Sequence, residues 1–110
     1  MNPVIVNRRA RFEYVLEEEF TAGLMLAGTE VKALRDGKAN LSDAYAYVSE
    51  AGEVWIKNLH ISEFKFGTYA NHAPLRERKL LLKKNELKKI RKELQNNGLT
   101  LIPLKLYFTP

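Results

Sequence analysis

The chain has 110 residues and a mass of 12.7 kDa, enough for one domain with a single modest core. A hydrophobic share of 45% and a charged share of 28% exclude a disordered tail. The absence of cysteine excludes a disulfide framework, a thiolate metal site and a cysteine nucleophile. The formal net charge of +5 indicates an anionic partner, with nucleic acid favoured over an anionic membrane surface.

The sequence carries no signal of a membrane or secreted protein. Residues 1–9 lack the apolar core of a signal peptide, and no apolar run approaches the length of a membrane span. We therefore expect a cytoplasmic protein without a membrane partner.

The first predicted elements are strands. Apolar side chains alternate with other residues over 12–17, which predicts a strand with one wet face. The acidic run Glu17–Glu19 interrupts the apolar pattern, which resumes over 22–27. Two strands or one bent strand fit this pattern equally well.

A short helix is predicted next. Thr29 is a suitable N-cap for a helix in which Val31 and Leu34 share a face. Asp36 and Gly37 supply the expected end of this helix.

The middle of the chain predicts a β-hairpin and a loop. Residues 44–48 and 54–61 are rich in β-branched and aromatic side chains, and 49–52 form the turn between them. Residues 62–75 show no period but include aromatic, glycine and proline residues, which indicates an ordered loop. Its length suggests a functional role.

The last third predicts a strand, a helix and a second strand. The leucines of 80–82 would scatter around a helical wheel, so we expect them in a strand or a turn. A helix from Asn85 to a stop at Asn97–Gly98 buries three residues at helical spacing: Leu87, Ile90 and Leu94. Apolar residues alternate again over 101–108, where Pro103 cannot donate to a ladder and requires an edge or a bulge.

Short strands with helices at the corners and no βαβ rhythm predict a mainly β fold with flanking helices. A small closed antiparallel barrel of the oligonucleotide-binding (OB) type is the expected architecture, as a single domain over residues 1–110.

Positive charge is concentrated between residues 76 and 92. Nine cations against two carboxylates give this segment +7, more than the +5 of the whole chain. Lys83 and Lys84 belong to this basic run, whereas Lys89 and Lys92 are better explained as a solvated helix face. Three cations lie outside any helical pattern and are expected to face outward toward an anion: Arg76, Arg78 and Lys79.

Two further basic groups are expected to converge with this segment on one surface. One consists of Lys32, Arg35 and Lys38, of which Lys32 and Arg35 project from the same side of the first predicted helix. The other is N-terminal and consists of Arg8, Arg9 and Arg11. Each group alone is weak evidence for phosphate binding, and the three together are stronger.

The aromatic residues of the long loop, Phe64, Phe66 and Tyr69, admit two interpretations of equal weight. They either stack on unpaired bases or pin the loop to the barrel. The hairpin aromatics Tyr45, Tyr47 and Trp55 are more simply explained by packing.

An enzymatic function finds little support in the sequence. His60 and His72 belong to no grouping with metal-ligand spacing, and Ser42 and Ser62 lack a nucleophile-elbow context. The glycines occur singly, so no phosphate-cradling loop is predicted. We expect a protein without catalytic residues, metal or cofactor.

More specific evidence comes from eight short motifs that run from Asn7 to Phe108. On these motifs, in their order and spacing, the chain resembles the SsrA-binding protein family. The motifs are Asn7-Arg8-Arg9-Ala10-Arg11, Ala22-Gly23-Leu24, Gly28-Thr29-Glu30-Val31-Lys32-Ala33-Leu34-Arg35, Gly37-Lys38-Ala39-Asn40, Asn71-His72, Pro74-Leu75-Arg76, Arg78-Lys79-Leu80-Leu81-Leu82 and Gly98-Leu99-Thr100-Leu101-Ile102-Pro103-Leu104-Lys105-Leu106-Tyr107.

The resemblance implies a bacterial RNA-binding protein with an OB-type barrel that is not an enzyme. Such a protein would bind the tRNA-like domain of transfer-messenger RNA (tmRNA, SsrA) and deliver it, with elongation factor Tu, to stalled ribosomes for trans-translation. It would hold the elbow of the RNA and fill the space of an anticodon arm.

The expected RNA-binding residues combine the basic groups with positions that match the family's motifs. By resemblance, Leu81 and the Glu30-Val31-Lys32 helix start belong to the contact surface. The full set is Arg8, Arg9, Arg11, Thr21, Glu30, Lys32, Arg35, Lys38, Asn40, Asn71, Arg76, Arg78, Lys79, Leu81, Lys83 and Lys84.

Three departures from the family's pattern change these expectations. Thr21 stands where relatives usually place an acidic RNA-binding residue, and Phe12 replaces a frequent histidine. The sequence ends at Pro110, whereas relatives continue through another strand, a Gly-Leu-Ala-Lys-Gly-Lys-Lys segment and a basic tail that enters the ribosomal decoding region. We therefore expect RNA binding without complete ribosome rescue, and a less stable barrel. The alternative is a generic OB-fold or ribosome-associated module without tmRNA specificity.

Overall fold

The computed structural model describes residues 2–16, 18–66, 70–96 and 99–109. Three sequence predictions fall outside these ranges: the start of the acidic run at Glu17, the loop aromatic Tyr69 and the helix stop at Asn97–Gly98. In chain order, the elements are β1 (Ile5–Val6), α1 (Ala10–Glu13), β2 (Gly23–Leu24), α2 (Gly28–Arg35), β3 (Ala39–Asn40), β4 (Tyr45–Val48), β5 (Val54–Lys57), β6 (His60–Ile61), β7 (Arg78–Leu81), α3 (Lys84–Asn96) and β8 (Lys105–Leu106).

The described strands form three antiparallel sheets. A four-stranded sheet has the order β2-β7-β5-β4, and two further pairs join β1 to β8 and β3 to β6. The prediction of a mainly β fold with flanking helices is confirmed.

The predicted closed barrel is not found, since the sheets of the described residues do not close on one another. The final apolar run explains part of this result. Over 101–108 its main chain bonds to Ala46 at Leu101, to Asn7 at Leu104 and to β1 through β8, and Pro103, which has no N–H to donate, lies between the first of these pairings and the other two.

The hairpin is confirmed, with Tyr47 opposite Trp55 and Ala46 opposite Ile56. Its turn contains Gly52 at φ +81°, where a Cβ atom would lie 2.9 Å from the Arg91 guanidinium. The positive φ favours glycine there, and a larger residue would also displace the Arg91 side chain. The Nε of Arg91 donates to the carbonyl of Gly52 at 3.0 Å, which ties α3 to the hairpin.

The run 54–61 is two strands rather than one. Asn58 adopts φ +61°, so β5 ends before it and β6 begins after it in a different sheet. Asparagine is among the residues that tolerate this left-handed conformation best.

The strand predicted over 12–17 is wrong. Residues 10–13 form α1 instead, supported by an ion pair between Arg9 and Glu13 across one helical turn at 2.7 Å. Tyr14 returns to an extended conformation, but residues 14–16 pair with no described strand. The alternating residues therefore do not form a strand, because no described strand lies beside them to pair with.

Helix α2 begins two residues earlier than predicted, because its N-cap is Ala27 rather than Thr29. The carboxylate of Glu30 instead accepts a hydrogen bond from the backbone N–H of Ala27 at 2.8 Å, which satisfies a donor at the helix start. The predicted end at Asp36 and Gly37 is confirmed, with Gly37 at φ +71°.

Two neighbouring clusters form the core. The larger one packs Ala33 and Leu34 of α2 against residues of the sheets, and the smaller one packs Ile90 of α3 against Ala46 and Val54. Leu80 of β7 contacts both clusters. The predicted helical stripe is confirmed, because Leu87 and Leu94 flank Ile90 in the smaller cluster.

Candidate nucleic-acid interface

Strand β7 presents two different faces. Arg78 has 0% exposed area and Leu80 packs in the core, whereas Leu81 is 49% exposed. Because side chains alternate along a strand, Lys79 and Leu81 share the outer face. The predicted strand at the leucine block is confirmed, and the predicted outward orientation of Arg78 is wrong.

Arg78 is buried because its guanidinium finds polar partners inside the protein. It pairs with the carboxylate of Glu30 and donates to the carbonyl oxygens of Leu59 at 2.6 Å and Pro74 at 3.1 Å. A buried charge is tolerated only with such partners. Arg78 therefore joins β7 to α2 and to two loops, and it offers no surface to an external anion.

Glu30 is the centre of this network and also has no exposed area. Its second oxygen accepts from Arg76, whose side chain remains 40% exposed. Burial acts to raise the pKa of Glu30, but hydrogen bonds from Arg76, the Ala27 N–H and Arg78 outweigh it, so the net pKa lies below the ordinary value. The carboxylate stays ionised at neutral pH. Glu30 is thus a positioning residue for Arg76 rather than a surface contact.

Lys79 is half-buried on the outer face, opposite Trp55 and paired with the carboxylate of Glu53. The ion pair lowers the pKa of Glu53. Leu81 lies opposite Gly23, whose missing side chain leaves room for it, because a Cβ there would stand 3.3 Å from that of Leu81. Leu81 is accessible, while Lys79 is already neutralised in part.

The outer surface of α2 carries cations without carboxylate partners. Among the described residues, Lys32, Arg35 and Lys38 are exposed and form no ion pair. Lys32 lies over the ring of Phe64 at 5.5 Å and Arg35 over the ring of Phe108 at 6.0 Å. This arrangement leaves their positive charge available to an anion.

Asn40 and Asn71 have different roles. Asn40 is exposed on β3, and its side-chain oxygen accepts from the N–H of Ser42 at 2.8 Å. Asn71 is half-buried and bonds both backbone groups of Phe64, accepting from its N–H at 3.0 Å and donating to its carbonyl at 2.8 Å. Asn71 thus orders the loop rather than lining a surface.

A further polar link supports the same loop, and sequence reasoning missed it. His72 is 7% exposed, with Nε2 2.9 Å from the carbonyl of Ile61 and Nδ1 2.9 Å from the hydroxyl of Thr29. Because a carbonyl can only accept, Nε2 carries a proton. The Asn71-His72 pair in the sequence was the available signal for this link.

The N-terminal arginines are exposed, but two of them have acidic neighbours. Arg9 pairs with Glu13 and lies 3.5 Å from Asp43, and the hydrogen bond that Arg9 donates to the Glu13 carboxylate raises the pKa of Arg9. Arg11 lies 3.8 Å from Glu19. Arg8 has no ion-pair partner among the described residues.

Lys83 and Lys84 stand exposed at the start of α3, where the backbone N–H of Lys83 donates to Glu86 at 3.3 Å. Thr21 is exposed just before β2, the neighbour of β7. Leu81 and Thr21 therefore border one edge region of the four-stranded sheet. The Glu30 network attaches α2 to the inner side of β7, away from its outer face.

The described ranges contain no group of three acidic or histidine side chains that could hold a metal ion. No helix in them combines the length and apolar character that crossing a bilayer requires.

Comparison with known proteins adds a family to this geometry. A family model described as SmpB protein matches residues 4–110. The chain is 55% identical over 108 residues to the SsrA-binding protein of Syntrophomonas wolfei, which covers 98% of this chain and 68% of that protein. It is 49% identical over 108 residues to the SsrA-binding protein of Wolbachia pipientis, and the match covers 98% of this chain and 72% of that protein.

Two further matches extend the comparison. The SsrA-binding protein of a Mycobacterium species (strain KMS) is 51% identical over 106 residues, 96% of this chain and 62% of that protein. A solved structure described as "tmRNA-SmpB: a journey to the center of the bacterial ribosome" contains a chain that is 48% identical, with a TM-score of 0.78 and 97% and 74% of the two chains covered. The chain therefore spans between about three fifths and three quarters of these proteins.

Proposed function

Since this chain belongs to the SmpB protein family, we propose that it is an RNA-binding protein that recognises the tRNA-like domain of tmRNA and acts in trans-translation. The observation that carries the proposal is similarity over nearly the whole chain to proteins named SsrA-binding protein. The basic surface of α2 supports it physically, because unneutralised cations favour a phosphate backbone.

The proposed contacts are a selection from the set predicted from sequence, and they lie in two regions, the outer surface of α2 and the edge of the four-stranded sheet. Lys32, Arg35 and Lys38 supply phosphate contacts, and Arg76, held by Glu30, extends this group. Leu81 and Thr21 supply contacts at the sheet edge, with Lys79 beside them. The peripheral cations are Arg8, Arg9, Arg11, Lys83 and Lys84, and Asn40 completes the set.

Three expected residues enter the proposal in an indirect role. Arg78, Glu30 and Asn71 bond to the protein itself and fix the surfaces that surround them. Their replacement would weaken RNA binding through loss of structure rather than loss of a contact.

We propose the ribosome and elongation factor Tu as the further partners, in a complex that delivers tmRNA to stalled ribosomes. The support for the ribosome is the solved tmRNA-SmpB neighbour. The factor follows from the delivery role that the family resemblance implies. The role is one of binding rather than catalysis, in the cytoplasm and without a cofactor.

We further propose that residues 1–110 act as one domain whose three sheets are segments of an OB-type barrel. Residues from all three sheets contribute to the larger core cluster, including Ile5, Ile56 and Ile61. The bridge from Ala46 to Leu101 continues the order of the four-stranded sheet toward the final segment.

The function is tested by titrating the protein against tmRNA and against an RNA duplex of equal length at matched salt. We expect tighter binding to tmRNA, because a specific surface adds contacts to the shared electrostatic attraction. Equal affinity for both RNAs would leave only a generic RNA-binding module.

A further inference from the structure

Two phenylalanines of the loop after β6 differ sharply in their surroundings. Phe64 is half-buried, whereas Phe66 is 76% exposed. Their ring centroids lie 5.6 Å apart with an interplanar angle of 70°, an edge-to-face contact. Such a contact does not cover both faces of both rings, so Phe66 presents an aromatic face to solvent.

The chain that leads to these rings is bonded to the protein at Ser62 and Phe64. The amide of Asn71 bonds the N–H and the carbonyl of Phe64, and the N–H of Ser62 donates to the carbonyl of Lys38 at 3.0 Å. These bonds hold Phe64 against the protein, two residues before the exposed Phe66. Ordering the segment before binding reduces the entropy cost of a later contact.

Positive charge surrounds the pair. The ammonium of Lys32 lies 5.5 Å from the centroid of Phe64, and that of Lys65 lies 5.7 Å from the centroid of Phe66. Neither lysine has a carboxylate partner among the described residues, whereas Arg76, Lys79 and Lys89 are all paired.

Near these cations in sequence, Glu30 is buried and already paired with Arg76 and Arg78, whereas Asp36 and Glu63 are exposed and form no ion pair within the described ranges. Four exposed cations outnumber these two exposed anions: Lys32, Arg35, Lys38 and Lys65. The surface therefore keeps a net positive charge of about +2.

We propose that Phe66, braced by Phe64 beside Lys32, is a stacking site for unpaired nucleobases of the RNA partner. Every base has a π face, and aromatic side chains within a basic surface are the usual means of holding single-stranded segments. The inference rests on the proposed function, because it extends the α2 surface from phosphate contact to base contact.

An RNA partner explains the arrangement better than an apolar protein partner. A protein that covered Phe66 would also bury or neutralise Lys32 and Lys65, at a desolvation cost that phosphates compensate directly.

The test compares two oligomers of equal length, a single-stranded oligoadenylate and an abasic ribose-phosphate chain. Their binding to the wild-type protein and to Phe66→Ala, Phe66→Trp and Lys32→Ala is measured over a range of salt concentrations. The control is Val15→Ala, which removes an apolar side chain that is 92% exposed and outside the loop.

We expect Phe66→Ala to weaken oligoadenylate binding about 10-fold, within the range for loss of one stacked base, with an unchanged salt slope. The abasic chain should bind this variant as it binds wild type, and Phe66→Trp should retain wild-type affinity for both. Lys32→Ala should lower the slope for both oligomers by about 0.7.

Equal losses on the two oligomers would mean that Phe66 supports the loop rather than a base, and no loss on either would mean that it contacts no RNA. Either outcome overturns the stacking site. The proposed function still stands in that case if the protein continues to prefer tmRNA to duplex. Loss of that preference, with the Phe66 effect intact, would overturn the proposed function alone.

Discussion

The carboxylate of Glu30 and the guanidinium of Arg78 form an ion pair between α2 and β7 from which solvent is excluded. Removing one partner of such a pair leaves an uncompensated buried charge, which typically costs about 3–5 kcal/mol. We therefore expect Arg78→Ala to lower the free energy of unfolding by about that amount in urea titrations.

Lys79→Ala is the matched control for this variant, since Lys79 is the next residue on β7 and its pair with Glu53 is partly exposed. We expect it to cost less than about 1 kcal/mol. Similar losses for the two variants would contradict a special role for the buried pair.

Acid should weaken this part of the structure. The folded-state pKa of Glu30 lies below its ordinary value of 4.5, because hydrogen bonds outweigh the opposing effect of burial. Its stabilising contribution is therefore complete above the unfolded-state pKa and is lost as the pH falls toward the lower folded-state pKa. Urea titrations of wild type and Glu30→Gln between neutral pH and about pH 3 should converge as the pH falls below about 4.5. A constant difference between the two proteins would show that Glu30 does not titrate with folding.

The salt dependence of tmRNA binding should distinguish free cations from neutralised ones. Lys32→Ala and Arg35→Ala should each reduce the slope of log affinity against log salt by about 0.7 to 0.9, since each is expected to meet one phosphate. Arg9→Ala should reduce it by less, because Glu13 already pairs with Arg9. Equal reductions for all three variants would mean that Lys32 and Arg35 contribute no more to RNA binding than Arg9 does.

Helix α3 carries a stripe of like charges. Lys84, Lys88 and Lys92 follow one another at a spacing of four residues, and neither the residues three nor those four positions from Lys88 include a carboxylate. Lys88→Glu would remove repulsions from three cations, Lys84, Arg91 and Lys92, and would add an attraction to each of them, and each of these six changes is worth about 0.2–0.5 kcal/mol. We expect the variant to be more stable by about 1–3 kcal/mol in urea titrations without RNA.

Lys89→Glu is the control for that change, since it alters the same helix by the same charge. Lys89 pairs with Glu18, so the substitution breaks an attraction and places a glutamate four residues before Glu93. This variant should be less stable than wild type. A stabilising effect of both substitutions would point to net charge rather than to the stripe.

The sequence predicted those elements that leave a signal within a few neighbouring residues. The turn at Gly52, the apolar stripe of α3 and the strand at the leucine block follow from turn chemistry and periodicity, and the structure has all three. The region 12–17 failed because alternation predicts a strand only when a neighbouring strand exists to pair with it. Here the local pair of Arg9 and Glu13 favoured a helical turn instead.

The site was harder to predict than the fold, because the availability of a cation depends on distant carboxylates. Arg78 and Lys79 are adjacent in the sequence, yet one is buried against Glu30, 48 residues away, and the other pairs with Glu53, 26 residues away. The spacing of residues in the sequence does not predict which carboxylate pairs with each of these cations. The exposure of Lys32 and Arg35 follows from the period of the short helix α2, and their contact with RNA stays a prediction.

The left-handed residue Asn58 connects the sheets to the buried charge. By ending β5, it releases Leu59 from any strand, and the carbonyl of Leu59 becomes an acceptor for Arg78 at 2.6 Å. A main-chain carbonyl thus accepts the hydrogen bond that a polar side chain would otherwise accept. The stabilisation of the buried arginine therefore depends on the path of the backbone. Substituting a β-branched residue for Asn58 would therefore disturb the position of the Leu59 carbonyl and, through it, the buried charge of Arg78.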